Sequence, residues 1–418
     1  MQRKIKVKNF GPIRAGNKAN DGWIDIHKVT VFIGDQGSGK STVAKLISVF
    51  TWLEKALIRG DKMLPLKENT VLDLLAYHRL QNYIEQSSEL EYRGRYYHLK
   101  LVVNDDKYNI EAVVVSNDNI VLPKVMYVPA ERNVLSSIEN ITQVSNLVAG
   151  SLQTYLIEYR YAQLENKDQQ VSLPINKANY LYDSSSSNSY VILNDKRLKV
   201  TEASSGFHSV VPLYLVTDYL AKFIKQDIDK LISLLSASQQ IRRKEHISAS
   251  LGELTSVFPI VFSALDEEAI NSIESRYICR SFINIVEEPE QNLFPKSQRL
   301  VLNKLVAYNN ENEHNQLVLT THSPYLINYL TLAIEAGKLV DKAKDNKEIL
   351  DKINDIVPLE SVLKEDDVVV YQLNEDSGIV EKLATYKGLP TDDNYLNNSL
   401  EEINVQFSEL LDIEDLCQ

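Results

Sequence analysis

The chain has 418 residues, enough for one large or two ordinary domains, and its 44% hydrophobic and 24% charged residues are typical of a globular protein. The formal net charge of −12 disfavours a surface dominated by nucleic-acid binding, because phosphate contacts need clustered Lys and Arg. The two cysteines, Cys279 and Cys417, argue against a disulfide framework, and no signal peptide or bilayer-spanning apolar run is present, so we expect a soluble cytoplasmic protein with no membrane partner.

A strand, a glycine-rich loop and a helix follow one another at residues 29–50. The apolar run from Val29 to Ile33 predicts the strand, and apolar residues at helical spacing after the loop predict the helix. Glycines let the loop wrap round phosphate oxygens, and a helix N-terminus adds a favourable field. In this P-loop pattern Lys40 reaches the β- and γ-phosphates and the Ser41 hydroxyl ligates Mg²⁺. The residues predicted to bind nucleotide are Gly34, Asp35, Gln36, Gly37, Ser38, Gly39, Lys40, Ser41 and Thr42.

The base of the bound nucleotide is predicted from a motif that the sequence lacks. The Asn-Lys-x-Asp tetrad that reads guanine does not occur, since pairs such as Asn303-Lys304 are not followed by Asp at the required place. We therefore expect adenine, and predict ATP and Mg²⁺ as the cofactors.

Residues 1–130 indicate mixed β and α structure. The runs "YYHLKLVV" and "YNIEAVVV" predict antiparallel strands of a first lobe. Residues 134–170 lose strand character, and we predict a helical insertion at about 134–182. The loop "DSSSSNS" then precedes a strand-like "YVILNDKRLKV".

Two serines and a glycine open an apolar helix at residues 204–206. Taken alone, this is an ordinary N-cap. Its place between the P-loop and an acidic strand favours a second anion-binding helix end, formed by Ser205 and Gly206. The segment 218–278 is predicted to be a second helical insertion. Its basic cluster "IRRKEH" predicts a solvated helix face, with a DNA or partner contact as the alternative.

Two adjacent glutamates end the apolar run of Ile283, Ile285 and Val286. A solvated acidic turn is the simple interpretation. P-loop ATPases, however, need a buried strand that delivers one carboxylate to the Mg²⁺ shell and another to the attacking water. We therefore predict Glu287 as a metal-shell residue and Glu288 as the catalytic group that polarises water.

A histidine follows the next apolar run, "QLVLTTHSPYLIN" at 316–328. His322 would emerge at the C-terminal end of a strand, where α/β folds place ligand groups. A neutral imidazole there can bind a γ-phosphate or order water; the alternative is that it caps the following helix. Together with Lys40 and Glu288, we predict His322 as catalytic.

We predict that the chain divides into a head at 1–335 and a C-terminal α/β extension of that head at 336–418. "DDVVVYQL" predicts a strand and "YLNNSLEEINVQFSELLDI" an amphipathic helix. The extension is shorter than a Toprim nuclease domain requires and has no Asp-x-Asp after Leu326, so we expect no nuclease within it.

Four motifs in this order resemble the ABC-type ATPase heads of Rad50, SMC and RecF proteins. "GDQGSGKST" resembles Walker A, "SSGFHS" the signature motif, "IVEEPE" Walker B and "LTTHSP" the switch-histidine segment. More narrowly, "YVPAERN", "EEPEQNLFP" and "THSPYLIN" resemble the OLD-like and AAA15/AAA21 group of bacterial ATPases. The resemblance implies a P-loop α/β head with a mixed sheet, an antiparallel β lobe and helical insertions.

Three departures from the wider family bear on the site. The Walker B pair is Glu-Glu rather than Asp-Glu, as the OLD-like group commonly shows. The signature has Phe207 and His208 after its glycine in place of an acid or glutamine. The third departure is that no clear Q-loop motif occurs, and the candidate for its glutamine is Gln143.

In the family, ATP is clamped between two heads, so a homodimer or higher homo-oligomer is implied. Ser205 and Gly206 of one copy would touch the γ-phosphate bound by the other. Glu131 and Arg132 would lie near the nucleotide or the junction of the lobes, with a structural ion pair of Arg132 as the alternative.

The predicted function is an ATP-hydrolysing regulator or sensor that controls a separate effector, a nuclease or toxin, in anti-phage defence. Stand-alone ATPases of the PARIS and Septu types carry this resemblance, and DNA or a phage protein is the possible trigger. The alternatives are a RecF- or Rad50-like DNA-repair ATPase and a scaffold that binds ATP with little turnover.

Overall fold

A computed structural model describes residues 2–61, 68–104, 107–117, 119–138, 149–257, 270–271 and 273–416. The candidate glutamine Gln143 lies outside these described residues. No helix among them is long and apolar enough to cross a membrane.

A mixed seven-stranded sheet forms the centre of the fold. Its strands, in spatial order, are β2 (Gly16–Asn17), β16 (Ile379–Lys382), β15 (Val368–Leu373), β4 (Val29–Gly34), β14 (Gln316–Thr320), β13 (Cys279–Glu287) and β8 (Leu122–Val128). The five strands from β15 to β8 are parallel, and β16 runs antiparallel to β15. Every residue of β4 and β14 is buried, which explains why these strands read as continuous apolar runs.

Helices cover both faces of this sheet. In chain order they are α1 (Lys40–Ile58), α2 (Glu68–Ala76), α3 (Ser151–Glu165), α4 (Ser205–Phe223), α5 (Ile228–Ser233), α6 (Ala237–Val257), α7 (Pro295–Asn310), α8 (Pro324–Ala343), α9 (Lys347–Ile356) and α10 (Tyr395–Leu416). Val31 and Ile33 of β4 pack into a core with α4, α7 and α8. Phe32, which points the other way, packs into a second core with α1.

The first lobe contains the predicted antiparallel strands. A five-stranded sheet has the order β3 (Trp23–Ile26), β1 (Arg3–Phe10), β5 (Ile84–Arg93), β6 (Tyr97–Asn104) and β7 (Lys107–Val114), with every pairing antiparallel. It packs on α1 from the side opposite the central sheet, since Val7 and Leu99 share a core with Phe50. The predicted fold class, α/β with a mixed sheet and an antiparallel β lobe, is confirmed.

The predicted helical insertion at 134–182 is helical only in part. Helix α3 ends at Glu165, and two strands follow within the predicted range. They belong to a four-stranded antiparallel sheet of β12 (Lys196–Lys199), β11 (Asn188–Leu193), β10 (Asn179–Asp183) and β9 (Gln170–Ser172). In β10, Tyr180 and Tyr182 are buried while their neighbours are partly exposed, a period of two that fits a strand and not a helix. The prediction that the insertion is helical as far as residue 182 was therefore wrong.

The segment 218–278 is helical through the end of α4 and through α5 and α6. The predicted boundary at 335/336, by contrast, falls inside α8. Beyond it, β15 pairs with the P-loop strand β4 from Val368 to Leu373. Residues after 335 therefore extend the head by adding strands to its central sheet.

Candidate functional site

The glycine-rich loop connects the buried end of β4 to the first residue of α1, Lys40. Two glycines are required by its geometry. Gly34 and Gly39 have φ of 140° and 101°, and a Cβ would lie 2.2 Å from the Leu373 carbonyl oxygen or 2.5 Å from Ile13 Cδ1 respectively. Asp35, Gln36 and Gly37 are exposed at the tip, so their backbone faces solvent at the helix N-terminus.

Lys40 curls back over this loop. Its Nζ donates to the carbonyl oxygens of Gly34 at 2.7 Å and Asp35 at 2.6 Å, and lies 3.4 Å from Ser38 Oγ. Burial lowers the pKa of Lys40 to about 8, and the nearby carboxylates, Glu288 first among them, oppose this shift. A buried ammonium held by neutral carbonyls is well placed to exchange them for a bound anion.

Glu287 is the last residue of β13 and is buried. Its Oε2 accepts a hydrogen bond from the Ala130 backbone N–H at 3.1 Å. Its other oxygen, Oε1, and the Tyr127 hydroxyl are both buried, and neither forms a hydrogen bond of regular geometry among the described residues, although the two side chains lie close enough to interact. Burial, followed by the charge of Glu287, raises the pKa of Tyr127 well above its usual range. A buried carboxylate oxygen without a regular hydrogen bond is a ligand position that a hard cation would satisfy.

Glu288 lies just beyond the strand, with a left-handed backbone φ of 43°. Its N–H donates to the Thr320 carbonyl oxygen at 2.9 Å, which ties it to the end of β14. The carboxylate is partly exposed, and its Oε1 lies 3.9 Å from His322 Nε2. Burial, with Lys40 next in size, lowers the pKa of His322, so the imidazole is neutral near pH 7. The N-cap of α8 is Ser323, not His322.

Glu290 is a site residue that the sequence reasoning missed. One of its oxygens accepts from Thr321 Oγ1 at 2.7 Å and from the His322 N–H at 2.8 Å. Burial raises its pKa. The carboxylate therefore joins the loop after β13 to the loop after β14 and fixes the backbone that carries His322. The third acid of "EEPE" was its signal, although only the first two acids were assigned roles.

Arg132 is fully buried and forms no ion pair with a carboxylate among the described residues. Its guanidinium donates to the carbonyl oxygens of Glu287 at 2.7 Å and Glu288 at 2.6 Å, and its Nε donates to that of Ser209 at 3.2 Å. It thus connects the two glutamates to α4. The ion pair expected as the alternative role of Arg132 does not form among the described residues, and its place near the nucleotide or the junction of the lobes stays a prediction. Its neighbour Glu131 is exposed.

Ser205 and Gly206 are the first two residues of α4. Ser205 is exposed, and the atoms nearest to a Cβ built on Gly206 belong to Asn292 and Leu293, in the loop that follows the glutamates. His208 Nε2 lies 2.8 Å from the Val200 carbonyl oxygen, so this unusual signature residue is engaged within its own chain. The structure therefore brings Lys40, Glu287, Glu288 and His322 together and leaves Ser205 and Gly206 on an exposed helix end.

These features define an α/β protein with a P-loop beside an acidic strand end. A family model described as an AAA ATPase domain, AAA_15, matches residues 256–327, a range that contains Glu287, Glu288 and His322. No curated protein matches the chain.

Among solved structures, the SMC head domain from Thermotoga maritima is 11% identical, with a TM-score of 0.37 over 92% of this chain and 99% of that one. A dimeric ATP-binding cassette bound to ADP and Pi is 11% identical, with a TM-score of 0.32 over 91% and 100%. The Smc head domain from Pyrococcus furiosus, bound to the C-terminal domain of ScpA, is 9% identical, with a TM-score of 0.39 over 98% and 99%. Similarities this distant add nothing to the assignment of the site, which depends on its own geometry.

Proposed function

We propose that the chain binds ATP with Mg²⁺ at residues 34–42 and hydrolyses it. One observation carries the proposal: Lys40, Glu287, Glu288 and His322, far apart in sequence, meet where the adjacent parallel strands β4, β14 and β13 end. Open α/β sheets bind their ligands at this edge. The match of residues 256–327 to an AAA ATPase domain supports the same chemistry.

The loop would hold the triphosphate through its backbone N–H groups. Lys40 would exchange the carbonyl oxygens of Gly34 and Asp35 for β- and γ-phosphate oxygens. The Ser41 hydroxyl and the buried Oε1 of Glu287 fit a Mg²⁺ ion, and this oxygen is the observation that supports the metal. The cation would neutralise negative charge on the phosphates.

Glu288 and His322 would act on the attacking water and the γ-phosphate. The partly exposed Glu288 carboxylate can accept a hydrogen bond from water and orient it, and then take its proton. The neutral His322 imidazole can donate one hydrogen bond to a phosphate oxygen while its backbone is held by Glu290. Arg132 is a positioning residue, since it binds the backbone of both glutamates and would touch neither ATP nor water.

A second copy of the chain is proposed to complete the site. The start of α4 supports this, because Ser205 is exposed and Gly206 is only partly buried, so another copy can reach this helix end. By the resemblance of its motifs, we further propose a regulator that controls a nuclease or toxin effector in anti-phage defence, triggered by DNA or a phage protein. Turnover stimulated by DNA alone, with no effector, would favour the repair ATPase instead.

The proposal is tested by ATP binding and turnover in Lys40→Ala, with Lys45→Ala, five residues further along α1, as the matched control. We expect Lys40→Ala to lose both activities, because the phosphates lose their buried ammonium, and Lys45→Ala to keep them. GTP should bind more weakly than ATP. Wild-type ATP affinity in Lys40→Ala would overturn the site assignment.

A further inference from the structure

Helix α10, Tyr395–Leu416, carries a large apolar surface beyond its first turn that no other described residue covers. Every residue from 398 to 414 is exposed. Seven large apolar side chains in this stretch are 46–63% exposed: Leu400, Ile403, Val405, Phe407, Leu410, Leu411 and Ile413. Folded proteins rarely expose so much contiguous apolar area unless it binds something.

The apolar residues are spaced as in a helix pair. Leu396, Leu400, Ile403, Phe407 and Leu410 follow one another at alternating intervals of four and three residues. With Leu400 taken as position a of a heptad, they fill a and d, the positions that meet between two helices. Leu396 packs against the core that contains Val31, and we call the four exposed residues, Leu400, Ile403, Phe407 and Leu410, the α10 seam. Its apolar spacing ends at the next a position, where the residue is a glutamate.

Before Glu414, the charges of α10 lie away from the seam. Glu401, Glu402, Glu409 and Asp412 occupy positions b, c and f, on the opposite side of the helix. The flanking e and g positions hold only uncharged residues: Asn397, Ser399, Asn404, Gln406, Leu411 and Ile413. In coiled coils these flanking positions select the partner through their charges. This helix has none there, so nothing disfavours pairing with itself.

The charge pattern also disfavours other occupants. No Lys or Arg occurs between residues 388 and 418, whereas binding to anionic lipid or nucleic acid depends on such side chains. Two copies of α10 can bring their seams together without placing carboxylates opposite one another. We propose that the α10 seam pairs with the α10 seam of a second copy of this chain, and that this interface forms without nucleotide.

The interface is separate from the one proposed around ATP, so its test does not depend on ATP hydrolysis. The nucleotide-free full-length chain is examined by sedimentation equilibrium as wild type, as the double variant Ile403→Glu, Phe407→Glu, and as Val405→Glu. Val405 is as exposed as the seam residues but lies at position f, outside the seam, and is therefore the matched control. All three substituted residues are exposed, so the fold should tolerate the changes, and circular dichroism verifies this.

We expect a dimer for the wild type and for Val405→Glu. In the double variant the dissociation constant should rise by about 100-fold or more, because each central apolar contact of an interface is worth about tenfold or more. A wild-type chain that stays monomeric at high micromolar concentration overturns the proposal, whatever α10 then binds. A dimer that the double variant does not weaken overturns it too.

Discussion

Replacing Arg132 with lysine tests whether one buried side chain fixes the two glutamates in place. The guanidinium has no solvent exposure and donates to four carbonyl oxygens, those of Glu287, Glu288, Ser209 and Pro129. Lysine keeps the positive charge. Its single ammonium group, however, cannot serve the three directions that a planar guanidinium serves.

The size of the effect follows from these contacts. We expect at least two of these carbonyl groups to lose their charged donor in Arg132→Lys. A buried polar group left without a partner costs about 1–3 kcal/mol, so the free energy of unfolding should fall by about 2–6 kcal/mol. The peptide groups of Glu287 and Glu288 should shift, and a shift of about 1 Å near the reacting atoms can reduce the rate by about 100-fold.

Two measurements separate positioning from general damage. Denaturant unfolding gives the free energy of unfolding, and steady-state kinetics give kcat and KM for ATP. We expect kcat to fall far more than KM rises, because Lys40 and the phosphate loop do not depend on Arg132. The control is Arg197→Lys at an exposed ion pair with Asp183, where a change below about 1 kcal/mol is expected. Wild-type kcat in Arg132→Lys would refute the reasoning.

Three further predictions concern the same site. Above pH 8, ATP affinity should fall by up to about tenfold per pH unit, because burial lowers the pKa of Lys40 to about 8 and binding then requires proton uptake. Calorimetry checks this, and a flat profile above pH 8 contradicts it. Glu290→Gln should keep turnover because it keeps the accepting oxygen, whereas Glu290→Ala should lose about tenfold or more; equal rates in the two would exclude the positioning role. Gly34→Ala should lower the Tm far more than Gly37→Ala, since a Cβ at residue 34 meets the Leu373 oxygen at 2.2 Å and one at residue 37 meets nothing within 4 Å. Equal Tm values from thermal melts would show that this contact does not matter.

The sequence predicted the α/β fold and the order of its motifs because their signals are local. A buried parallel strand such as Val29–Gly34 reads as a continuous apolar run, and the glycines that follow mark the loop. The strand Val368–Leu373 was also predicted, but its position beside β4 in the sheet was not. Its pairing with β4 depends on contacts across more than 300 residues, which no local pattern contains. The boundary at 335 failed for this reason.

The sequence indicated the charged residues of the candidate site but not the residues that hold them in position. Glu287 and Glu288 stand out because adjacent acids after an apolar run are unusual. Arg132 was left between two interpretations because its partners are backbone carbonyls, which have no sequence signature. The strand Asn179–Asp183 was overlooked because its alternation is only five residues long and is carried by tyrosines.

Single-turnover ATP hydrolysis by Glu288→Gln tests the central claim most directly. Glutamine preserves size and hydrogen bonding but cannot take a proton from water, so turnover should fall by about 100-fold or more while ATP affinity stays near wild type. The control is Glu348→Gln, an exposed acid on α9 whose loss should change neither. Hydrolysis by Glu288→Gln at the wild-type rate would contradict the account.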